Sequence, residues 1–329
     1  MPTRVAIDAM GGDRAPAVVV EGAVEAVQQS EGSLHVLLVG VPVEVEPLIP
    51  AGMEHIEVAP ASEVIGMDES PASAVKSKRD SSIHVGLGLV RSGQAEAFAS
   101  AGNTGAVMAA SLFTLGRIAG VSRPTIAGYY PTVDSFCTVL DVGANVDCKA
   151  EHLAQFAHMG SVYAERVLKR TNPSVALMNV GEEPGKGDEA TKAAFELLSE
   201  ATSINFIGNI EGRDLLKHGA DVVICDGFVG NVMLKLGESI ADVLGHFLAA
   251  EMKAQDLDEA QRRVVKSVLA GVARRFDYET MGGVPLLGVN GNVIIGHGGS
   301  TAAAITQMIL RAGELVEHDV ANRIAASLA

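Results

Sequence analysis

Arg4-Val5-Ala6-Ile7-Asp8-Ala9-Met10-Gly11-Gly12-Asp13 is an apolar run that breaks into a glycine pair and two carboxylates, and Pro16 to Val27 behind it carries apolar residues at three- and four-residue spacing. A short, continuous apolar run is what a strand buried on both faces requires, and the spacing behind it is that of a helix laying one face on a core. Strand, glycine-containing loop and helix, in that order, make the first half of a βαβ unit. The same order recurs along the chain. Strands are expected at Arg4 to Asp8, Leu34 to Val39, Ala97 to Ser100, Phe136 to Asp141, Val175 to Val180, Ile204 to Ile207, Val222 to Cys225 and Val293 to Gly296. Helices are expected at Pro16 to Val27, Ala106 to Ile118, Glu151 to Leu168 and Thr301 to Leu310. The alternation predicts a three-layer α/β/α sandwich around a mainly parallel, Rossmann-like sheet, with residues 1–329 as a single domain.

Six strand-to-helix loops are crowded with Gly, Asn, Asp, Ser or Thr: Ile7 to Asp13, Ser100 to Gly105, Asp141 to Asn145, Gly181 to Asp188, Asp226 to Asn231 and Gly296 to Thr301. In open parallel sheets such loops converge at the carboxyl ends of the strands, where helix N-termini offer free N–H groups to anions. The same residues also serve as helix caps and left-handed turns, so any one loop is ambiguous. Six together predict an anion-centred site.

Composition removes other classes. With 25 Lys and Arg against 40 Asp and Glu, the net charge of −15 argues against nucleic acid, and an acidic partner would need a local basic patch. Cys137, Cys148 and Cys225 are too few and too scattered for a disulfide framework and fit a reducing cytoplasm. Arg4 followed at once by the strand-like Val5-Ala6-Ile7 is not the pattern expected of a signal segment, and the longest apolar candidate for a span, Val222 to Leu248, is interrupted by Asp226, Lys235, Glu238 and Asp242.

Known phosphate and metal spacings also fail. Gly181-Glu182-Glu183-Pro184-Gly185-Lys186-Gly187 is one residue short of a P-loop and puts Gly187 where Ser or Thr should hold magnesium. Gly86-Leu87-Gly88 starts like a dinucleotide fingerprint but lacks its third glycine and reads as helix packing. There is no HExxH, His152 and His158 are six apart, and the loop carboxylates Asp8, Asp13, Asp141, Asp147 and Asp226 lie on separate loops. No metal ligand set or cofactor is assigned, although spacing alone leaves a magnesium site open. A G-x-S-x-G nucleophile elbow is absent.

Five ordered motifs resemble one family. Ala6 to Asp13, Ser100 to Ala106, Leu140 to Asp147, Cys225 to Asn231 and Pro285 to Gly291 resemble bacterial phosphate acyltransferase, the acyl-[acyl-carrier-protein]:phosphate acyltransferase of phospholipid synthesis, from Val5 to about Ile309. Asp226 to Leu236 is also similar to the Asp-Leu-x-x-Gly-Asn-Ile-x-Tyr-Lys segment of phosphotransacetylases. The resemblance implies transfer of a long-chain acyl group from acyl carrier protein to inorganic phosphate. The acyl phosphate then feeds a membrane glycerol-3-phosphate acyltransferase. It further implies a homodimer with a helical protrusion, at about 240–280, that touches membrane.

The loop residues suit that reaction. Phosphate is already an oxygen nucleophile near neutral pH, so the site has to hold it, bring it to the thioester and stabilise the oxyanion. The departing thiol, with an ordinary value of about 8.5, can leave as thiolate. Lys186 is the first candidate for a phosphate contact, as an ammonium on a glycine-bounded loop. Asp226 could orient Lys186 or accept a phosphate proton, His297 could move a proton, and Asn231 is an amide donor. Asp8, Gly11, Gly12, Asn103, Thr104, Asn145, Gly298, Ser300 and Thr301 are candidates for binding phosphate or thioester. For Asp226, Ser300 and Thr301, plain helix capping is the competing reading.

Two basic clusters could meet an acidic carrier or an anionic surface. Lys76, Lys78 and Arg79 form one, and Arg262, Arg263, Lys266, Arg274 and Arg275 the other. In the second, Val264, Val265, Val268, Leu269, Val272 and Phe276 fall on one helical face, and all the basic residues except Arg275 lie on the other. Membrane contact, carrier docking, dimerisation and ordinary core packing all remain open for this helix. Two other classes compete for the whole chain: a non-catalytic acyl-chain or carrier-binding module, and an NAD(P)-dependent dehydrogenase on the same architecture.

Overall fold

The Arg4 to Asp8 run lies third from one edge of an eleven-stranded sheet in a computed structural model that describes residues 2–273 and 282–328. In chain order the strands are β1 (Thr3–Asp8), β2 (Leu34–Gly40), β3 (Ile56–Pro60), β4 (Ala97–Ser100), β5 (Thr125–Pro131), β6 (Phe136–Leu140), β7 (Ser174–Met178), β8 (Asn205–Ile210), β9 (Val222–Ile224), β10 (Val284–Leu287) and β11 (Asn292–Ile295). The helices are α1 (Ala17–Gln29), α2 (Pro42–Val45), α3 (Pro71–Ser77), α4 (Ser82–Arg91), α5 (Thr104–Thr114), α6 (Ala150–Arg166), α7 (Glu189–Glu200), α8 (Gly212–Leu215), α9 (Gly227–Ala254), α10 (Glu259–Ala273), α11 (Ala302–Glu317) and α12 (Val320–Ser327).

All eight expected strands and all four expected helices are present, and helices cover both faces of a mostly parallel sheet. Along β1, Val5 and Ile7 enter the core shared with α1, α6 and α11, whereas Ala6 enters the core beneath α4 and α5. The alternation explains why Val5 to Asp8 are all buried: each face of the strand meets a helix layer. Gly86 lies inside α4, where a Cβ would overlap the Phe98 ring on β4, so the abortive dinucleotide motif is a helix-to-sheet contact.

Three strands, β3, β5 and β10, were not expected, and each contains a residue that argues against strand. Pro60 closes β3, Gly128 lies within β5, and Pro285 lies within β10. Proline is tolerated in β10 because that strand changes partners there. Val284 and Pro285 pair with β11, and Leu286 and Leu287 pair with β5.

This exchange of partners organises the molecule. The sheet order is β3-β2-β1-β4-β11-β10-β5-β6-β9-β7-β8. The pairings β11 with β10, β10 with β5 and β5 with β6 are antiparallel, while the strands to either side pair in parallel. The two parallel halves therefore run in opposite directions, joined by β10 and β5, each of which divides its length between two neighbours.

The longest helix, α9, starts at the carboxyl end of β9 and extends beyond the sheet, where α10 follows it. None of the residues of α10 is buried. Leu269 turns toward Gly245 of α9, whereas Val264 and Val268 are exposed, and so are Phe247 and Leu244 on α9. Ordinary core packing is thereby excluded for α10. Arg262, Arg263 and Lys266 are exposed on the same helix, and Arg274, Arg275 and Phe276 lie outside the described residues. Among the described residues no helix is long and apolar enough to cross a membrane.

Candidate active site

The six loops separate into three groups. At the end of β1, Asp8 is buried, and its carboxylate accepts from Ser100 Oγ at 2.7 Å and from the Met10 amide at 3.1 Å. Ser100 Oγ in turn accepts from the Gly102 amide at 3.0 Å. Asp8 thus ties the loop after β1 to the loop after β4. Burial raises its carboxyl above the ordinary range, against hydrogen bonds that lower it. The loop after β11 joins the same group: Asp13 N donates to Gly298 O at 2.8 Å, and Arg14 donates to the carbonyls of Gly299 and Ser300 at 2.8 and 2.9 Å. Gly11, Gly12, Gly298 and Ser300 pack together here.

A second group is built on Asp141, at the end of β6. Its fully buried carboxylate accepts from the amides of Gly143, Ala144 and Asn145 at 3.2, 3.0 and 2.6 Å and from Asn145 Nδ2 at 2.7 Å. Burial raises this carboxyl too. Asn145 spends its other amide hydrogen on Pro124 O at 2.8 Å, and its own carbonyl accepts from Gly227 N at 2.8 Å. Two glycines let α9 close on this loop. A Cβ on Gly230 would overlap the Asp141 carbonyl, and Gly143, at φ +132°, leaves space for the Asn231 amide, 3.1 Å from where its Cβ would stand. Asp226 caps α9, its carboxylate accepting from Val229 N at 2.7 Å. The third group is the β7 loop. Lys186 is exposed there, and among the described residues no ion pair joins it to Asp226.

Between the first two groups lies a cavity of about 320 Å³, near the lower bound for small-molecule sites. Ile126, Val142, Leu234, Val284 and Ile295 give it apolar walls, and Thr104, Asn231 and His297 bring polar groups to it. Thr104 opens α5, whose N-cap is Asn103. The positive end of that helix dipole is therefore part of the lining. His297 Nδ1 accepts from Gly299 N at 3.2 Å, which assigns the ring proton of a neutral imidazole to Nε2.

The three asparagines read as equivalent donors differ in the fold. Asn103 Nδ2 donates to the carbonyls of Gly66, Met67 and Glu69 at 3.3, 3.0 and 3.0 Å, and its Oδ1 accepts from Ala106 N. Its amide and that of Asn145 hold loops. The Asn231 side chain faces the cavity, with no hydrogen bond from its amide among the described residues. Thr301 caps α11 through Ala304 N, and Ser300 Oγ donates to His297 O at 2.6 Å, supporting the histidine turn. Lys78 is held by Val64 O and Glu69, whereas Arg79 is exposed.

Lys235 and Glu238, also in the lining, were not among the candidates because they lie beyond the loop, about two and three turns into α9. The available signals were their four- and seven-residue distance from Asn231 and, for Lys235, its place at the closing lysine of the Asp-Leu-x-x-Gly-Asn-Ile-x-Tyr-Lys pattern. The cysteines offer no ready nucleophile. Burial, followed by the Asp141 and Asp226 charges, pushes the Cys148 thiol up to about 12, and burial raises Cys225 well above the ordinary value. Among the described residues no group of His, Cys, Asp and Glu is placed to hold a metal.

Residues 3–323 match the model of a family described as fatty acid synthesis protein. The phosphate acyltransferase of Salinibacter ruber is 53% identical over 326 residues, covering 98% of this chain and 96% of that protein. The phosphate acyltransferase of Heliobacterium modesticaldum is 48% identical over 320 residues, with 96% and 95% covered. Among solved structures, a phosphotransacetylase from Streptococcus pyogenes superposes with a TM-score of 0.63 at 17% identity, over 96% of this chain and 94% of that one. A branched-chain phosphotransacylase from Enterococcus faecalis gives 0.61 at 14% identity, over 96% and 99%. These two likenesses are of fold.

Proposed function

The chain belongs to the fatty acid synthesis protein family, alongside phosphate acyltransferases, and from that premise we propose that it transfers a long-chain acyl group from an acyl-carrier-protein thioester to inorganic phosphate. It is an acyltransferase, which sets aside the non-catalytic module and the dehydrogenase. The observation that carries the substrate reading is the cavity, apolar along its walls and lined at the same time by Thr104, Asn231 and His297. An acyl chain needs the first, and a phosphate beside a thioester carbonyl needs the second.

In this reading a phosphate oxygen attacks the carbonyl carbon, the carbonyl electrons move onto oxygen, and their return expels the sulfur as thiolate. The α5 N-terminus, Thr104 and Asn231 hold phosphate and oxyanion, and His297 moves a proton. Asp8, Gly11, Gly12, Asn103, Asn145, Gly298, Ser300 and Thr301 keep these groups in place. Incubation with acyl-carrier thioester, with and without phosphate, and trapping of the product with hydroxylamine tests the assignment. Thiol release that ignores phosphate would overturn it.

Lys186 reaches the site in this proposal as an exposed arm of the β7 loop. Lys186→Ala is expected to lower phosphate-dependent thiol release at least about tenfold, as loss of a charged hydrogen bond would, with an unchanged circular dichroism spectrum. Unchanged turnover removes Lys186 from the site.

The α9–α10 pair supports the remaining proposals. Its exposed apolar residues with Arg262, Arg263 and Lys266 alongside suit a homodimer contact and a peripheral seat on an anionic membrane from the cytoplasmic side, where acyl phosphate would pass to a membrane glycerol-3-phosphate acyltransferase. Arg79 and the α10 basic residues suit an acidic carrier. Val268→Glu, on the exposed face, is expected to reduce flotation with anionic liposomes several-fold, and more than Leu269→Glu does after correction for lost folding. Equal flotation of wild type and Val268→Glu would remove the membrane role.

A further inference from the structure

Among the described residues the cavity lining holds two full charges, Lys235 and Glu238. With Asn231 and Leu234 they make a stripe at spacings of three, four and seven along α9, all facing the cavity. Lys235 Nζ donates to Glu238 Oε2 at 2.8 Å, with the lysine side chain 58% exposed and the glutamate 25%. A carboxylate in the lining opposes any anionic reactant. Without a cation beside it, Glu238 would repel phosphate from the wall of the cavity that it shares with Asn231.

The two members of the pair differ in freedom. Glu238 is the more enclosed, whereas Lys235 carries its charge on a flexible four-carbon stem and is bound by one exposed i,i+3 contact, an interaction that contributes little in water. Two cations of the neighbouring loops, unlike Lys235, are committed to the fold. Lys78 is held by a carbonyl and a carboxylate, and Arg14 by two carbonyls. Lys235 can change partner at small cost.

We propose that Lys235 is a phosphate-binding residue of the cavity, held by Glu238 while no anion is bound and passed to the phosphate when one enters. The exchange moves no proton and makes no covalent bond. Its consequence is moderated affinity. Glu238 competes with phosphate for the ammonium and, after transfer, competes in the same way with the acyl phosphate, which favours release. The kinetic part rests on the acyltransferase reading, and the binding part does not.

The test uses the full chain and inorganic phosphate as probe, by calorimetric titration and by the KM for phosphate in the thiol-release assay. Lys235→Ala is expected to weaken phosphate binding and raise that KM about tenfold or more, as loss of one charge-assisted hydrogen bond would. Lys235→Arg should stay within a few-fold of wild type. Glu238→Gln should shift both quantities the opposite way, tightening phosphate several-fold, and the double variant should follow Lys235→Ala. A purely structural pair would move both single variants in the same direction. That result, or wild-type affinity in Lys235→Ala, or no phosphate binding by the wild type, overturns the proposal. Phosphate binding that depends on Lys235, with no phosphate-dependent thiol release by the wild type, would instead overturn the acyltransferase reading alone.

Discussion

Asn231→Ala is expected to reduce phosphate-dependent turnover about 100- to 1000-fold, the loss seen when one preorganised donor is taken from a developing oxyanion. The size of the effect follows from where the amide stands. Asn231 faces the cavity from the first turns of α9, beside a glycine whose missing side chain leaves it space, and its amide is not committed to the fold. Folding should therefore be nearly indifferent to the change, with a melting temperature close to that of wild type. Asn145→Ala is the contrasting control. Its amide hydrogens bind Asp141 and Pro124, so its loss should appear as instability before it appears as slow turnover. A turnover within tenfold of wild type for Asn231→Ala would remove this amide from the reacting centre.

Asp141→Ala is expected to destabilise the protein by about 3 to 5 kcal/mol, a large fraction of the roughly 5 to 15 kcal/mol of an ordinary domain. The buried carboxylate gathers three loop amides and the Asn145 side chain, and without it these donors lose their acceptor where water cannot replace it. Asp141→Asn should cost less, because it keeps one acceptor oxygen and removes a buried charge. Burial holds the Asp141 carboxyl above its ordinary value, so the folded state keeps its proton to higher pH than the unfolded chain. That contribution to stability is complete below the ordinary carboxylate value and is lost as pH rises through the raised one. Denaturant unfolding across acid pH should show this slope reduced in Asp141→Asn, and an unchanged slope would assign it to other groups such as Asp8.

Much of the frame could be read in advance because it depends on local pattern. Buried parallel strands are short apolar runs whatever surrounds them, and Asp226, Asn103 and Thr301 stand where helix caps must stand. Strands β5 and β10 could not be read, since Gly128 and Pro285 argue locally against strand and only pairing with two different neighbours makes them strands. The site was legible to a similar depth. The loops were identified, but which side chain in each is open and which is spent on the fold was not. Asn103, Asn145 and Asn231 look alike in sequence because an amide hydrogen-bonds with whatever the fold places beside it. Lys235 and Glu238 lay hidden in a helix whose inward face is defined by the cavity.

The sequence alone determined the layered α/β/α architecture, the loops at the strand ends and, through five ordered motifs, the family, because periodicity, capping and motif spacing act between residues near in the chain. Tertiary structure alone decided that the two parallel halves run oppositely across β10 and β5, that Thr104, Asn231 and His297 share one cavity, and that Lys235 faces Glu238 within it. The first two depend on partners far apart in the chain, and no local preference specifies which loops will meet; the third is a local pair that only the cavity places at a site.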